Sequence, residues 1–522
     1  MGDCGVVFSY DPYVTREALH YLRHRGPHAS GLAARTDDGG IDIVKWWGQA
    51  RDFRWGSLSL LLPTEERLSL GHGKYRTHGD RTLQTAHPLY FGQNARTEIE
   101  DGHMIVRGAE IAAGHNGEFR NYSDLRTEIE ESGLALPNDC DSQTLPYLFH
   151  IHDHDIGKVI PRLEASYFAV VMDKNGAVAF RDPFGNRPGW YGLDSKGRPM
   201  VASEDYAIIK VGGKPIREIG KGEALRFYLD PNREPATMQV LEPIEGGECI
   251  FEGVYLSKSE INEKDPNSEV SSTFAGINVR GARESLGRAL ATEFLYLKDD
   301  PWRADIVTYA PYSPYHASKT FADEIGLPFK QILYKHSEPG EKRSFMAEEE
   351  QREDMIWNDL YIIPLYKGAL HGKRVIVIDD SRIRSTVTSR FLYLLKAVGE
   401  AEAVYALNYS DIIGGRDNGV DYGCDMGVAM PNSGTFAATR YGRNIEALRI
   451  GAGLDLAAVL ARHPEYATRD CVDPTRNYEL DFLGHLPGEK MVNAVGIPGA
   501  CYRCMKGPEL PFIARKHVMV SA

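Results

Sequence analysis

The chain is short of disulfide-forming residues, of long apolar runs, of positive charge and of repeats. Seven cysteines in 522 residues do not make a disulfide framework, which excludes the small cross-linked secreted class. The longer apolar runs, such as Phe168 to Met172, are strand-sized and fall far below the ~20 residues of a membrane span. Lys plus Arg number 60 against 73 Asp plus Glu, a net charge of −13, which argues against a nucleic-acid surface. An acidic protein that binds a polyanion therefore needs local basic residues or Mg²⁺. The first residues lack a secretory pattern. Met1-Gly2 opens like a myristoylation site, but Val6 occupies the place where Ser or Thr is wanted. These absences leave a cytoplasmic protein with no membrane and no nucleic-acid partner. What is present is ordinary for a globular protein, 42% hydrophobic and 25% charged, and the length calls for two or three domains.

Residues 4 to about 240 read as short strands separated by Gly- and Asp-rich turns. Strands are expected over 166–172 and 176–180. A helix is expected over 14–23, where Ala18, Leu19 and Leu22 share a face. This mixture suits a layered α+β domain. Residues 243–278, with Pro243, Gly246-Gly247 and a polar run, read as a connection. Beyond it helices alternate with parallel-type strands, beginning where Ala282, Leu286, Ala289, Leu290 and Phe294 fall at helical spacing.

Cys4 is the most informative residue. A thiol there becomes an N-terminal nucleophile if the leader is removed, because an α-amine with a pKa near 8 takes the thiol proton. Otherwise it is a buried free cysteine in a first strand. Four more stretches bear on the choice: His24-Arg25-Gly26-Pro27, His115-Asn116-Gly117, Asp139-Cys140-Asp141-Ser142, and Arg181-Asp182-Pro183-Phe184-Gly185-Asn186-Arg187-Pro188. In this order and at these separations, continuing through Gly222-Glu223-Ala224, they resemble the class II glutamine amidotransferases. The resemblance implies Cys4 as the nucleophile, Asn116 and the Gly117 N–H as the oxyanion hole, and Asp141 as the holder of the α-amino group. It implies a glutamine pocket completed by Arg25 and by the segment His72-Gly73-Lys74-Tyr75-Arg76-Thr77. There the family has an arginine where this chain has Lys74, a point charge in place of a fork, and Arg76 is a second cation at hand.

The second half holds one dense motif, Lys373 to Thr388: an apolar strand, two acids, a short polar loop and then a helix with Phe391, Leu392, Leu394 and Leu395 inward. A strand, acids and a loop at a helix start form an anion site, although any doubly wound strand end shares part of that pattern. The loop resembles the type I phosphoribosyltransferase signature, in the Asp-Asp-Ser-x-x-Arg form of the amidophosphoribosyltransferase family. Glu248 to Tyr255, Val279 to Glu284 and Arg343-Ser344-Phe345 fit the same family, so the resemblance spans nearly the whole chain. It implies a four-layer αββα N-terminal-nucleophile glutaminase over 4–242, a connection over 243–278, a doubly wound α/β phosphoribosyltransferase-like domain over 279–460, and a C-terminal extension over 461–522.

By the same resemblance, ammonia from glutamine crosses to the second site. There it displaces pyrophosphate from 5-phosphoribosyl 1-pyrophosphate, giving 5-phosphoribosylamine, in purine biosynthesis. Asp379, Asp380 and Ser381 would serve the ribose side with Mg²⁺. Arg384, Ser385, Thr386 and Thr388 would cradle the 5′-phosphate, Ser313 would lie in the pyrophosphate loop, and Lys335 would start a mobile lid. A homo-oligomer is also implied. The chain departs from the family at Ser385, which replaces a glycine, at Val387, at Tyr312 and Pro314, and in an acidic run from Glu348 to Asp354. These departures keep two other readings open: amination of another phosphorylated sugar or small acceptor, and a non-catalytic nucleotide-binding regulator. Cys249, Cys501 and Cys504 match three of the places where some family members hold a [4Fe–4S] cluster, and Cys424, a few residues from the family position, or Cys471 is available as the fourth. Four thiolates take Zn²⁺ equally well, and a Cys-x-x-Cys is often metal-free.

Overall fold

The computed structural model describes residues 4–506 apart from 65, 76–81, 101, 262–268, 337–348, 425–432 and 474. Its first half is a sandwich of two sheets. The larger has nine strands, with Gly5–Ser9 near its middle between Pro199–Ala202 and Ser69–Lys74, followed by Ala29–Arg35, Ile41–Trp47 and His103–Ala109. The smaller has six, with Ala165–Asp173 flanked by Gly176–Arg181 and Ile111–Phe119. Alternation along each strand sends residues to opposite faces. Val6 and Phe8 thus enter the core between the sheets, with Leu70, Val106, Phe168 and Val170. Val7 points the other way, onto Ala18, Leu19 and Ala207 of the outer helices. On the far side Leu125, Ile129 and Leu148 pack onto Tyr167 and Val171. Four layers, αββα, result.

The strands expected at 166–172 and 176–180 are present, each extended by a residue or two. The first helix runs Pro12–Tyr21, two residues earlier than its apolar spacing indicates. Local chemistry decides this. Asp11 accepts from the N–H groups of Tyr13 and Val14, and Pro12 needs no N–H partner at the first helical position.

The second half is built on four parallel strands in the order Ile306–Tyr309, Arg374–Asp379, Ala403–Asn408, Phe482–His485. Helices Val279–Glu293, Tyr315–Ile325 and Gly488–Val495 cover one face. Thr386–Leu392 and Ile445–Arg462 cover the other. This is the expected doubly wound α/β arrangement, with one correction. Phe482–His485 lies in the segment read as a C-terminal extension, yet it pairs in parallel with Tyr405–Asn408 and completes the sheet. A four-residue strand without a second turn signal gave no periodicity to read.

Candidate active site

The strand register assembles the first site. Gly5 pairs with Gly73, which brings Cys4 alongside Lys74 at the end of the sandwich. The Cys4 thiol is buried and accepts from the Tyr75 N–H at 3.5 Å. The Cys4 backbone N–H donates to Asn116 Oδ1 at 3.0 Å. That bond turns the other end of the amide, Nδ2, into the site, where it is buried without a partner. Gly117 has φ +146°, and a Cβ there would stand 2.2 Å from the Ser166 carbonyl oxygen. Only glycine fits at this backbone angle, directly after Asn116 in the strand. A buried, unpartnered donor next to a nucleophile is what a developing oxyanion requires.

Asp141 closes the same end. Its carboxylate accepts from the Phe119 N–H at 2.9 Å and from Ser142 Oγ at 3.3 Å, and burial raises its pKa above the ordinary carboxylate value. Ser142 in turn meets His115 Nδ1 at 2.7 Å. The Lys74 ammonium donates to the Thr85 carbonyl and hydroxyl at 2.7 and 2.9 Å. Arg76 lies outside the described residues. Arg25 is placed differently from its expected role. It is fully enclosed, its guanidinium donating to Glu204, to Glu252 at 2.6 Å and to Ser257 at 3.2 Å. A guanidinium committed to two buried carboxylates ties the two halves together and is not available to a substrate carboxylate. Glu204 stands in no motif and Glu252 lies within the junction segment Glu248 to Tyr255 without a role read for it; their partnership through Arg25 is purely tertiary.

The second site is a cavity of about 170 Å³ where the second domain meets the junction. Asp379, Asp380, Ser381, Arg384, Ser385, Thr386, Thr388, Ser313 and Lys335 all line it, as do Phe251 and Tyr255 of the connection. Burial raises both carboxyls, and for Asp379 the charge of Asp380 adds to it. Asp380 accepts from Ser313 and from Ser381 Oγ. Ser385 stands at φ +70°, a left-handed conformation suited to glycine, and Tyr312 at φ +88°. Ser385 is held by Arg382, whose Nε donates to its hydroxyl at 2.8 Å while Nη2 donates to the Leu448 carbonyl at 2.7 Å. Arg343, Ser344, Phe345 and Glu348 fall outside the described residues. The end of the acidic run is engaged by side chains of the C-terminal helices: Glu353 pairs with Arg462 at 2.7 Å and Asp354 accepts from the Tyr466 hydroxyl at 3.0 Å.

The cysteines converge without closing a ligand set. Cys249 bridges to Cys501 through the backbone. Cys249 and Cys504 share one core with Cys424 packed against it. Burial and the neighbouring Cys501 and Cys424 raise the Cys249 thiol well above its ordinary value. Among the described residues, however, no group of three or more His, Cys, Asp or Glu side chains is placed to hold a metal ion. No helix among the described residues is long and apolar enough to cross a membrane.

The sandwich with its buried thiol and the buried amide of Asn116, joined to a doubly wound domain with paired acids, is the architecture of a glutamine amidotransferase coupled to a phosphoribosyltransferase-type domain. The model of a glutamine amidotransferase domain matches residues 96–210. Amidophosphoribosyltransferase of Mycobacterium bovis is 30% identical over 417 residues, covering 77% of this chain and 71% of its own. Amidophosphoribosyltransferase 1 of Arabidopsis thaliana, a chloroplastic protein, is 29% identical over 468 residues, covering 88% and 74%. The chain belongs to the amidophosphoribosyltransferase family. Among solved structures, the glutamine phosphoribosylpyrophosphate amidotransferase of B. subtilis complexed with ADP and GMP superposes with a TM-score of 0.68 at 23% identity, over 97% of this chain and 96% of that one. A structure described as the allosteric regulatory enzyme of purine biosynthesis gives 0.71 at 24%, over 97% and 95%. Both share the fold. The protein is accordingly an enzyme, a glutamine-dependent amidotransferase with a phosphoribosyltransferase half.

Proposed function

We propose that Cys4 attacks the side-chain amide of glutamine and that the ammonia released reaches the second cavity, where it displaces pyrophosphate from 5-phosphoribosyl 1-pyrophosphate. Glutamine, water and the activated sugar give glutamate, 5-phosphoribosylamine and pyrophosphate, a step of purine biosynthesis. The carrying observation is the unpartnered Asn116 Nδ2 beside the buried thiol. In the first half-reaction the α-amine of Cys4 takes the thiol proton once the residues before it are removed. The thiolate adds to the amide carbon, and Asn116 Nδ2 with the Gly117 N–H receives the charge on oxygen. Protonation at nitrogen releases ammonia, and water then cleaves the thioester to glutamate. Asp141 receives the substrate α-amino group, whose positive charge offsets the burial of the carboxylate.

In the second cavity Asp379 and Asp380 face the ribose hydroxyls, and Ser385, Thr386 and Thr388 face the 5′-phosphate. Two crowded, buried carboxylates fit a divalent cation, since they are raised by burial and lie where a substrate's phosphates complete the shell. Mg²⁺ held there would balance the charge of the departing pyrophosphate. Phe251, Tyr255 and Leu256 wall the cavity on the side of the junction, which keeps water from the ammonia. Soluble assembly as a homo-oligomer belongs to the same reading.

The test is coupled turnover. With 5-phosphoribosyl 1-pyrophosphate and Mg²⁺, pyrophosphate and glutamate should appear in equal amounts. Cys4→Ala should abolish the glutamine-dependent reaction and keep the ammonia-dependent one. Intact-mass analysis of active protein should show a chain that begins at Cys4. Glutamate release without any pyrophosphate, together with calorimetric binding of a different phosphorylated sugar, would reassign the acceptor.

A further inference from the structure

Lys45 has no role in the reaction as described, yet it is among the most unusual side chains in the molecule. It stands in the middle of the strand Ile41–Trp47, is completely buried, and points into the sandwich on the same face as His72. The pairings that set this row are Val6 with His72, His72 with Gly31, and Gly31 with Lys45. Its ammonium makes one long hydrogen bond, to the Gln84 carbonyl at 3.4 Å, and lies 5.4 Å from the centre of the Tyr90 ring. No carboxylate pairs with it among the described residues. A buried ammonium without a counter-ion is costly, and structures retain one where something else supplies the charge.

Lys74 is the second half of the observation. It grips the next residue of the same short turn, Thr85, through the carbonyl and the hydroxyl. Two ammonium groups therefore converge on consecutive residues, Gln84 and Thr85. An ammonium has three N–H donors. Lys74 has spent two and Lys45 one, so three remain, and no acid of the described residues takes them. The other titratable groups around the pair are His72, His87 and Cys140, each of which interacts with one or both lysines. Burial holds both imidazoles neutral, and it pushes the Cys140 thiol up to about 11. None of them balances the lysines. The pair sits beside the nucleophile on one side, since Tyr75 follows Lys74 and donates to Cys4 Sγ. On the other side Cys140 precedes Asp141, the expected partner of the α-amino group.

We propose that Lys45 and Lys74 together bind the α-carboxylate of glutamine, two point charges doing the work of one bidentate guanidinium. The assignment rests on the glutaminase reading and names its specificity-determining residue. The amino acid then meets an acid at its ammonium end and two cations at its carboxylate end, while its amide reaches Cys4. Burial and Lys74 bring Lys45 down to about 7, so an arriving carboxylate also restores full protonation there.

The experiment compares glutamine with its α-amide, in which the carboxylate is replaced by a neutral group of nearly the same shape. The readout is the ratio of kcat/KM for the two substrates. Lys45→Met should raise KM for glutamine and lower that ratio by about 10- to 100-fold, the worth of a charged hydrogen bond. Its activity on the α-amide should change far less than that on glutamine, and its ammonia-dependent activity, which does not use the glutamine pocket, should match that of the parent. Lys45→Arg should recover part of the ratio. Equal losses on both substrates would make Lys45 a structural residue and overturn the assignment, as would no loss at all. Lys74→Met supplies a test that does not depend on Lys45→Met folding. The ratio should fall by a similar factor and stay well above one, because Lys45 remains. A ratio of one in Lys74→Met would show that Lys45 contributes nothing. Parent protein that releases no glutamate from glutamine under any condition would instead refute the glutaminase reading itself.

Discussion

Asn116 is held by its oxygen and left open at its nitrogen, so its two ends separate positioning from catalysis. Asn116→Ala should lower kcat for glutamine hydrolysis by about 10²- to 10³-fold, the usual cost of one oxyanion donor, and leave the ammonia-dependent rate unchanged. Steady-state kinetics with both nitrogen sources checks this. At Ser385 two effects compete. Its left-handed backbone costs about 1–2 kcal/mol relative to glycine, which Ser385→Gly would recover. The same change strips the Arg382 Nε of its acceptor in a buried position, which costs about 1.5–3 kcal/mol. The second term is larger. Ser385→Gly should therefore destabilise by about 1 kcal/mol alone, whereas the same change in an Arg382→Met background should stabilise by about 1 kcal/mol. A double-mutant cycle by urea unfolding decides it. Ser385 was visible as a departure from the family loop, but its contact with Arg382 was not, because it depends on the left-handed turn at Ser385.

Between elements, the telling contact is the one that joins the strand-rich half to the helix of the connection. Arg25 follows the helix Pro12–Tyr21, Glu204 immediately precedes the helix Asp205–Lys210, and Glu252 opens the turn Glu252–Leu256. That same turn carries Tyr255 and Leu256 into the second cavity. Arg25→Met removes the guanidinium that two buried carboxylates share, a loss of about 3–5 kcal/mol. Thermal unfolding should show it as a lowered transition, and coupling between glutamine hydrolysis and pyrophosphate release should loosen in the surviving protein. Unchanged stability would mean that Glu252 finds another partner. The element pattern itself was largely legible. The buried strands over 165–173 and 374–379 announce themselves by their apolar runs, and the helix Val279–Glu293 by its spacing. The short strand Phe482–His485 was not, since its only credential is a neighbour 77 residues earlier in the sequence, as in the bond from the Val404 N–H to Asp481.

For the molecule as a whole, buried histidines set a pH response. Burial lowers His72 to about 3 and takes His87 and His115 well below their ordinary value. A histidine with a depressed folded pKa stays neutral while the unfolded chain takes up its proton. Its contribution is intact above about pH 6.5 and is lost as pH falls, by roughly 1.4 kcal/mol per imidazole at pH 5.5. Buried acids respond the other way: burial raises Asp205 to about 6, so it is less unfavourable when acidified. The total slope therefore mixes signs, and the informative quantity is a difference. His87→Phe keeps the stacking against His72, whose ring centre lies 4.1 Å away, and removes one titration. Its stability relative to the parent should rise by about 1.4 kcal/mol between pH 7.5 and pH 5.5. Parallel urea curves at the two pH values would show that His87 does not titrate on unfolding.

What the sequence determined by itself was local and covalent in origin. The candidate residues Cys4, Asn116-Gly117, Asp141 and the strand ending in Asp379-Asp380 stand out in the sequence because the roles proposed for them need a fixed residue type at a fixed spacing along the chain. The apolar runs that build both sheets are readable for the same reason, since burial of a strand leaves its mark on consecutive residues. What only the tertiary structure decided were the partners of buried charges. Arg25 went to Glu204 and Glu252, Glu353 to Arg462, and Lys45 to a place near Lys74 with no carboxylate paired to it among the described residues. Charge pairing acts through space and across low-dielectric interiors, so it leaves no period in the sequence, and these partners became identifiable only once the sheets had brought them together.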